Sequence, residues 1–276
     1  MEEYLAAVVQ MDSTDDRRQN LCKMMKYIDQ AADAGAKLIV FPETADYIGE
    51  EMQQNAWSAD DAKKLFGEAA ARHGMYIHCG SITARNGLDR PYNMTLFFAP
   101  DGRCMGSYEK LHMFDVDVSE GPAFQESAQV CEGQHIAAAR TELGTIGMAI
   151  CYDIRFGEMF RLMALAGAQL LCVSANFTMA TGKDHWETLL RARAIENGCY
   201  VLAADQTGVK PSFAAYGNSM IIDPWGNVIA RSSNREGVVY GTIDLNYVNQ
   251  VRNQIPALSN RRTDLYQLEG RVIIWE

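Results

Sequence analysis

The chain has 276 residues, with 25 Lys and Arg against 35 Asp and Glu and a formal net charge of −10. That acidic balance, with no Lys/Arg run, argues against a nucleic-acid footprint and an anionic-membrane partner. No stretch approaches the roughly 18 consecutive apolar residues of a membrane span, and the opening MEEYLAAVVQMD lacks the basic and apolar regions of a signal peptide.

Residues 4–10, YLAAVVQ, read as a buried strand. From Asp15 to Ala34, Leu21, Met24, Met25, Ile28, Ala31 and Ala32 recur at helical spacing, and Gly35 supplies the stop. KLIVF (37–41) is a continuous apolar run, as in a central strand, and ends at Pro42-Glu43. Ser58 followed by Asp61 resembles a capping box and opens a helix that closes at Gly74. MYIHCGSI (75–82) and YNMTLFFA (92–99) read as strands, the second turning at Pro100-Asp101-Gly102.

In the second half, Thr145 to Ile150 reads as a buried strand delivering Cys151 into a turn, followed by a helix over 155–167. QLLCVSA (169–175) is a strand, DHWETLLRARAIEN (184–197) a helix stopped by Gly198, and CYVLAAD (199–205) and NSMIIDP (218–224) are strands. GVVYGTIDL (237–245), a short helix near 246–253 and a tail ending VIIWE complete the chain.

The halves match in detail. Ala34-Gly35-Ala36-Lys37-Leu38 resembles Ala166-Gly167-Ala168-Gln169-Leu170, and Tyr76, Tyr92 and Gly102 match Tyr200, Tyr216 and Gly226 at one constant offset. This internal repeat predicts an α/β fold of one domain, residues 1–276, in which two similar strand–helix layers pack with helices outside and two sheets inside.

Parallel strands place sites outside their carboxyl ends. Three residues therefore stand out. Cys151 is either a buried core cysteine or a nucleophile at a strand-to-helix turn, whose following N–H groups face an incoming oxyanion. Glu43 is a helix cap, a loop charge, or a carboxylate held at the same edge. Lys110, in SYEKLHMFD (107–115), is a surface charge or the counter-ion of such a site. His112, Asp115 and Asp117 also raise a metal site, but lack further ligands at diagnostic spacing. The seven cysteines, at 22, 79, 104, 131, 151, 172 and 199, form no C-x-x-C pair. They argue against a zinc ribbon or a disulfide framework and for a reducing cytoplasm.

FPET (41–44), YEKLHMFD (108–115), FQES (124–127), GMAICYDIRFGE (147–158), HWETLLRARAIEN (185–197) and SMIIDPWGN (219–227) together resemble the nitrilase-like carbon–nitrogen hydrolases. The resemblance spans essentially the whole chain, in order. It implies a four-layer αββα sandwich that dimerises through its faces, and a Glu–Lys–Cys triad at Glu43, Lys110 and Cys151, with a second glutamate at Glu126. Glu43 would be the general base, Lys110 and the Tyr152 N–H the oxyanion donors, and Glu126 the holder of Lys110. The scheme requires no metal and no organic cofactor, and His185 is read as structural.

CYDIRF, TGKDHWETLLRARAIE, DPWG and NRRTDLY (260–266) bring the resemblance closest to ω-amidase-like and deaminated-glutathione-amidase-like enzymes. Their small carboxylated amides suggest a guanidinium partner, and Arg155 would face the pocket mouth if a helix starts at Cys151. Arg155 as a surface salt bridge is the competing reading. Tyr47 and Thr178 are further pocket candidates. N-carbamoyl hydrolysis, nitrile hydrolysis and a catalytically idle binding protein are the alternatives. The expected partners are the amide and a second copy of the chain, in a homodimer or higher homo-oligomer.

Overall fold

Alternation along β1 (Glu3–Gln10) sets the layers. Ala6 and Val8 enter a core shared with the second half of the chain, whereas Ala7 and Val9 enter one shared with helices, because successive side chains of a strand point to opposite faces. The computed structural model describes residues 3–50, 52–117 and 123–276. β2 (Leu38–Val40) divides the same way, with Leu38 and Val40 inward and Ile39 outward.

Helices α1 (Arg17–Asp33) and α2 (Ala59–His73) cover that outer face with Met24, Ile28, Phe66 and Ala70. Asp16 caps α1 by accepting the Gln19 N–H, and Ser58 caps α2 by accepting the Asp61 N–H, which satisfies donors that a helix start leaves free. β3 (Tyr76–His78), β4 (Ile82–Ala84), β5 (Tyr92–Phe98) and β6 (Cys104–Glu109) continue the first sheet. A small hairpin follows, β7 (Asp115–Asp117) with β8 (Ala123–Gln125).

The second sheet is built from β9 (Ile136–Thr141), β10 (Gly144–Ile150), β11 (Leu170–Ala175) and β12 (Tyr200–Asp205), with α3 (Gly157–Leu165) and α4 (Met179–Asn197) between them in sequence. A hairpin of β13 (Thr207–Val209) and β14 (Ala214–Tyr216) leads to β15 (Met220–Ile222) and β16 (Val228–Arg231). β17 (Gly237–Asp244) returns to the first sheet, α5 (Leu245–Gln254) follows, and β18 (Val272–Trp275) closes the second sheet.

The sheet orders are β17-β1-β2-β3-β5-β4, with β6 on β5, and β16-β15-β12-β11-β10-β9-β18. Parallel β1-β2-β3 followed by antiparallel β5 and β6 corresponds to parallel β10-β11-β12 followed by antiparallel β15 and β16. The αββα sandwich with two similar halves is thus the architecture, and the carboxyl ends of both parallel triads meet. Met11 bridges Gln206 in parallel, and the Ser174 hydroxyl donates to the Phe41 carbonyl at 2.7 Å.

Three local expectations differ, and the tail, given no element from sequence, gains one. The helix expected over 155–167 is a short 3-10 helix, Cys151–Arg155, followed by α3. α4 starts at Met179 rather than at residue 184, because the Thr178 side chain accepts the Thr181 N–H and caps it. The VIIWE tail is a strand, parallel to β9.

The run 75–82 breaks after His78, at Gly80, where φ is +75°. A Cβ there would lie 2.0 Å from the Pro42 carbonyl oxygen, so glycine lets this bend lie directly against the segment that delivers Glu43. Gly80→Ala is expected to destabilise the protein by about 2 kcal/mol or more, read as a lower unfolding midpoint in denaturant. An unchanged midpoint would show that the Pro42 segment yields freely.

Candidate active site

The strand β10 ends at Ile150, and Cys151 follows with φ +48°. A non-glycine residue in that basin is strained by about 1–3 kcal/mol and persists only when its surroundings hold it. Asp153 does the holding. Its Oδ2 accepts the Ile150 N–H at 2.8 Å and the Tyr108 hydroxyl at 2.7 Å. Its Oδ1 accepts the His112 N–H at 3.2 Å and lies 2.7 Å from His112 Nδ1. His112 also stacks on Phe156, with ring centroids 3.6 Å apart. His112 is thereby engaged in bracing the turn, while Asp115 accepts the Ser127 N–H.

Glu43 leaves the end of β2 and is buried. Its Oε1 accepts from Lys110 Nζ at 2.9 Å and from Asn93 Nδ2 at 2.8 Å, and its Oε2 accepts the Asn176 N–H at 2.8 Å. Its carbonyl accepts from Gln206 Nε2 at 2.9 Å. Lys110, only 2% exposed, also donates to Glu126 Oε1 at 2.9 Å and Oε2 at 2.8 Å. Glu126 is fixed in turn by the Phe114 N–H, 2.7 Å from its Oε2. One ammonium therefore sits between two carboxylates, and Asn93, 3.4 Å from Glu126 Oε1, spans the same two acids.

Burial alone would push the Lys110 ammonium down, but the charges of Glu126 and Glu43 outweigh it and hold the group well above its ordinary pKa. Cys151 goes the same way for the opposite charge type. Burial, reinforced by the negative charge of Glu43, pushes its thiol well above the ordinary range despite the attraction of Lys110. The ammonium is thus charged and the sulfur protonated, with a carboxylate beside it.

Cys151, Glu43, Lys110 and Glu126 line a cavity of about 360 Å³. Phe114, Phe124, Tyr152, Phe177 and Phe213 give it aromatic walls. Of the substrate-binding candidates, Thr178 lines it. Arg155 and Tyr47 stand outside the lining. Arg155 ends a 3-10 helix, not an α-helix, that begins at Cys151. Its guanidinium lies over the Tyr152 and Phe177 rings, and its Nη1 is 3.3 Å from His185 Nδ1. Tyr47 has Arg17 over its ring and accepts from Asn55 Nδ2 at 3.0 Å.

The carbon–nitrogen hydrolase family profile matches residues 5–253. The chain belongs to the carbon–nitrogen hydrolase family. It is 38% identical over 269 residues to the deaminated glutathione amidase of Synechocystis sp., covering 95% of this chain and 99% of that protein. It is 37% identical over 277 residues to the omega-amidase of Danio rerio, covering 98% and 99%. The crystal structure of the Caenorhabditis elegans NitFhit protein superposes with a TM-score of 0.89 at 36% identity, covering 99% of this chain and 68% of that one. The chain spans 62% of the full length of that fusion protein. This family member is an enzyme of the amidase type. No described helix is long and apolar enough to cross a membrane.

Asn93, Asn176, Gln206 and Lys210 were not singled out from sequence. Asn93 carries the one available signal, an amide within the apolar run of β5, since a buried polar group needs a partner. Asp46, also unflagged, is fully buried three residues beyond Glu43 and pairs with Arg17 at 3.0 Å. It anchors the segment whose Ile48, Gly49 and Met52 line the cavity.

Burial, only partly offset by Arg17, raises the Asp46 carboxyl from 3.8 to about 6. Between those values the folded protein binds a proton that the unfolded chain does not, so the contribution of Asp46 to stability grows as pH falls from about 6 toward 4. The thermal midpoint of the wild type, minus that of Asp46→Asn, should therefore rise as pH is lowered from 7 to 4. A constant or shrinking gap would contradict the raised value.

Proposed function

We propose that this enzyme hydrolyses a small carboxylated amide through a thioester on Cys151. The observation that carries the reading is the Lys110 ammonium held between Glu43 and Glu126 on the cavity that Cys151 also lines. A neutral thiol is a poor nucleophile and needs a base in the same step. Glu43 takes the Cys151 proton as sulfur bonds to the amide carbon, and the carbonyl π electrons move onto oxygen. The Lys110 ammonium and the Tyr152 N–H stabilise that oxyanion, each such donor being worth about 3–4 kcal/mol of barrier.

The oxyanion then collapses, the C–N bond breaks, and Glu43 returns the proton to the departing nitrogen. Water attacks the thioester, giving its proton to Glu43. Loss of the thiolate frees the carboxylic acid, and the proton passes back to sulfur. Glu126 keeps Lys110 charged and aimed throughout.

The deaminated glutathione amidase of Synechocystis sp. and the omega-amidase of Danio rerio, to which the chain is similar, support an amide with a carboxylate some bonds from the scissile group. Thr178, on the cavity wall, supports a polar contact to it. The same reading has the enzyme acting as a homodimer in the cytoplasm, for which the exposed Ile195 and Trp225 on the outer surface and the unpatterned cysteines speak.

Cys151→Ala is expected to abolish ammonia release while leaving the circular-dichroism spectrum intact, and wild-type protein incubated with substrate should show an acyl mass on Cys151. Undiminished turnover by the variant would remove this sulfur from the reaction. Glu126→Gln is expected to lower kcat about 100-fold or more with a near-normal unfolding midpoint. Wild-type kinetics would discard its grip on Lys110 as a factor in catalysis.

A further inference from the structure

Two lysines line the cavity, and only one of them belongs to the reacting groups. Lys110 is paired with Glu43 and Glu126. The other, Lys210, stands in the turn between β13 and β14, where its N–H donates to the Phe213 carbonyl at 2.7 Å, and Pro211, Ser212 and Phe213 of the same turn also line the cavity. Lys210 is 3% exposed. Its Nζ lies 2.7 Å from Asp12 Oδ1, 3.1 Å from the Ser13 carbonyl and 3.5 Å from Gln206 Oε1.

Asp12 differs from every other partner in this network. Its side chain is 41% exposed, whereas Ser13 and Gln206 are buried. An ion pair with one member in water is weakly held, whereas a buried ammonium stripped of its counter-ion is costly. Burial pushes Lys210 below its ordinary pKa, against the hydrogen bond and charge of Asp12 and the charge of Asp205, so the cation requires an anion next to it. The fixed contacts, Ser13 and Gln206, are neutral. Gln206 is itself tied to the Glu43 carbonyl, which places this cation one side chain behind the base.

We propose that Lys210 is the residue that reads the substrate's distal carboxylate, and that Asp12 holds its place in the empty enzyme. On binding, the substrate carboxylate replaces that of Asp12 on Lys210, so the ammonium is never left unpaired. Asp12 turns toward water and toward Lys23, whose Nζ lies 2.9 Å from the Asp12 carbonyl and is shared with Glu236 Oε1 at 2.8 Å. The inference rests on the carboxylated-amide reading given above and assigns its specificity to a residue outside the reacting groups.

The test is steady-state kinetics on glutaramate and pentanamide, amides of equal carbon count that differ in the terminal charge. Wild-type enzyme should prefer glutaramate. In Lys210→Met the ratio of kcat/KM for glutaramate over pentanamide should fall about tenfold or more, chiefly through KM for glutaramate, and Lys210→Arg should restore part of it. Asp12→Asn, which keeps the lysine and removes the competing carboxylate, should lower KM for glutaramate, and it carries the test if Lys210→Met does not fold. A wild-type ratio near one would overturn the carboxylated-substrate reading and this inference with it. A strong wild-type preference that survives Lys210→Met, or an equal loss on both amides, would overturn the inference alone, as would an unchanged or raised KM in Asp12→Asn.

Discussion

One ammonium shared by two carboxylates sets the electrostatics of the cavity. Lys110 is buried, and no lysine stays charged there unless opposite charge surrounds it. Two acids against one base leave an excess negative charge in a dry site, and a third anion is therefore disfavoured. The sulfur keeps its proton chiefly because it is buried, and the charge of Glu43 adds to that. The arrangement separates this enzyme from thiol catalysts that store a thiolate beside a histidine. In the reaction proposed above the proton leaves as the bond to carbon forms, and the acceptor has to be positioned in advance. Asn93, the Phe114 N–H and the Asn176 N–H supply that positioning, with two of their bonds falling directly on Glu43.

The sandwich explains how groups so distant in sequence come to share one rim. Glu43 leaves a strand of the first sheet and Cys151 one of the second, while Lys110 follows β6 and Glu126 follows a separate small hairpin. Two parallel triads stacked inner face to inner face bring their carboxyl ends together. Cross-sheet bonds then fix the spacing: Ser174 to the Phe41 carbonyl, the Glu43 N–H to the Ala175 carbonyl at 3.3 Å, and Gln206 to the Glu43 carbonyl. Displacing one sheet on the other would move Glu43 and Cys151 apart, so the packing core fixes the geometry of the site as well as the stability of the fold.

Much of this was legible in the chain because its signals are local. Apolar runs ending at Glu43, Cys151 and Asn176 mark buried parallel strands, and the repeated Ala-Gly-Ala and Tyr landmarks disclose the two matching layers. What stayed hidden depends on partners elsewhere in sequence. Nothing in CYDIRFGEMF announces that Asp153 will bond back to Ile150 and hold a 3-10 turn, which carries Arg155 away from the cavity. The bend at Gly80 is imposed by Pro42 on another segment. Lys210 reads as an ordinary loop lysine until the β13–β14 turn folds it against Asp12, 198 residues away.

The left-handed backbone at Cys151 has a consequence for how this protein persists. A glycine would occupy that basin without penalty, and the fold would gain robustness while losing its sulfur. On the proposed role of Cys151, turnover is retained against the thermodynamic grain, and the Asp153 brace with Tyr108 and His112 is what keeps the tension tolerable. Drift toward a sturdier but inert chain would be expected to erase the nucleophile first and leave the brace behind, so an orphaned Asp–Tyr–His brace in a related sequence would mark a lineage that has stopped working as an enzyme.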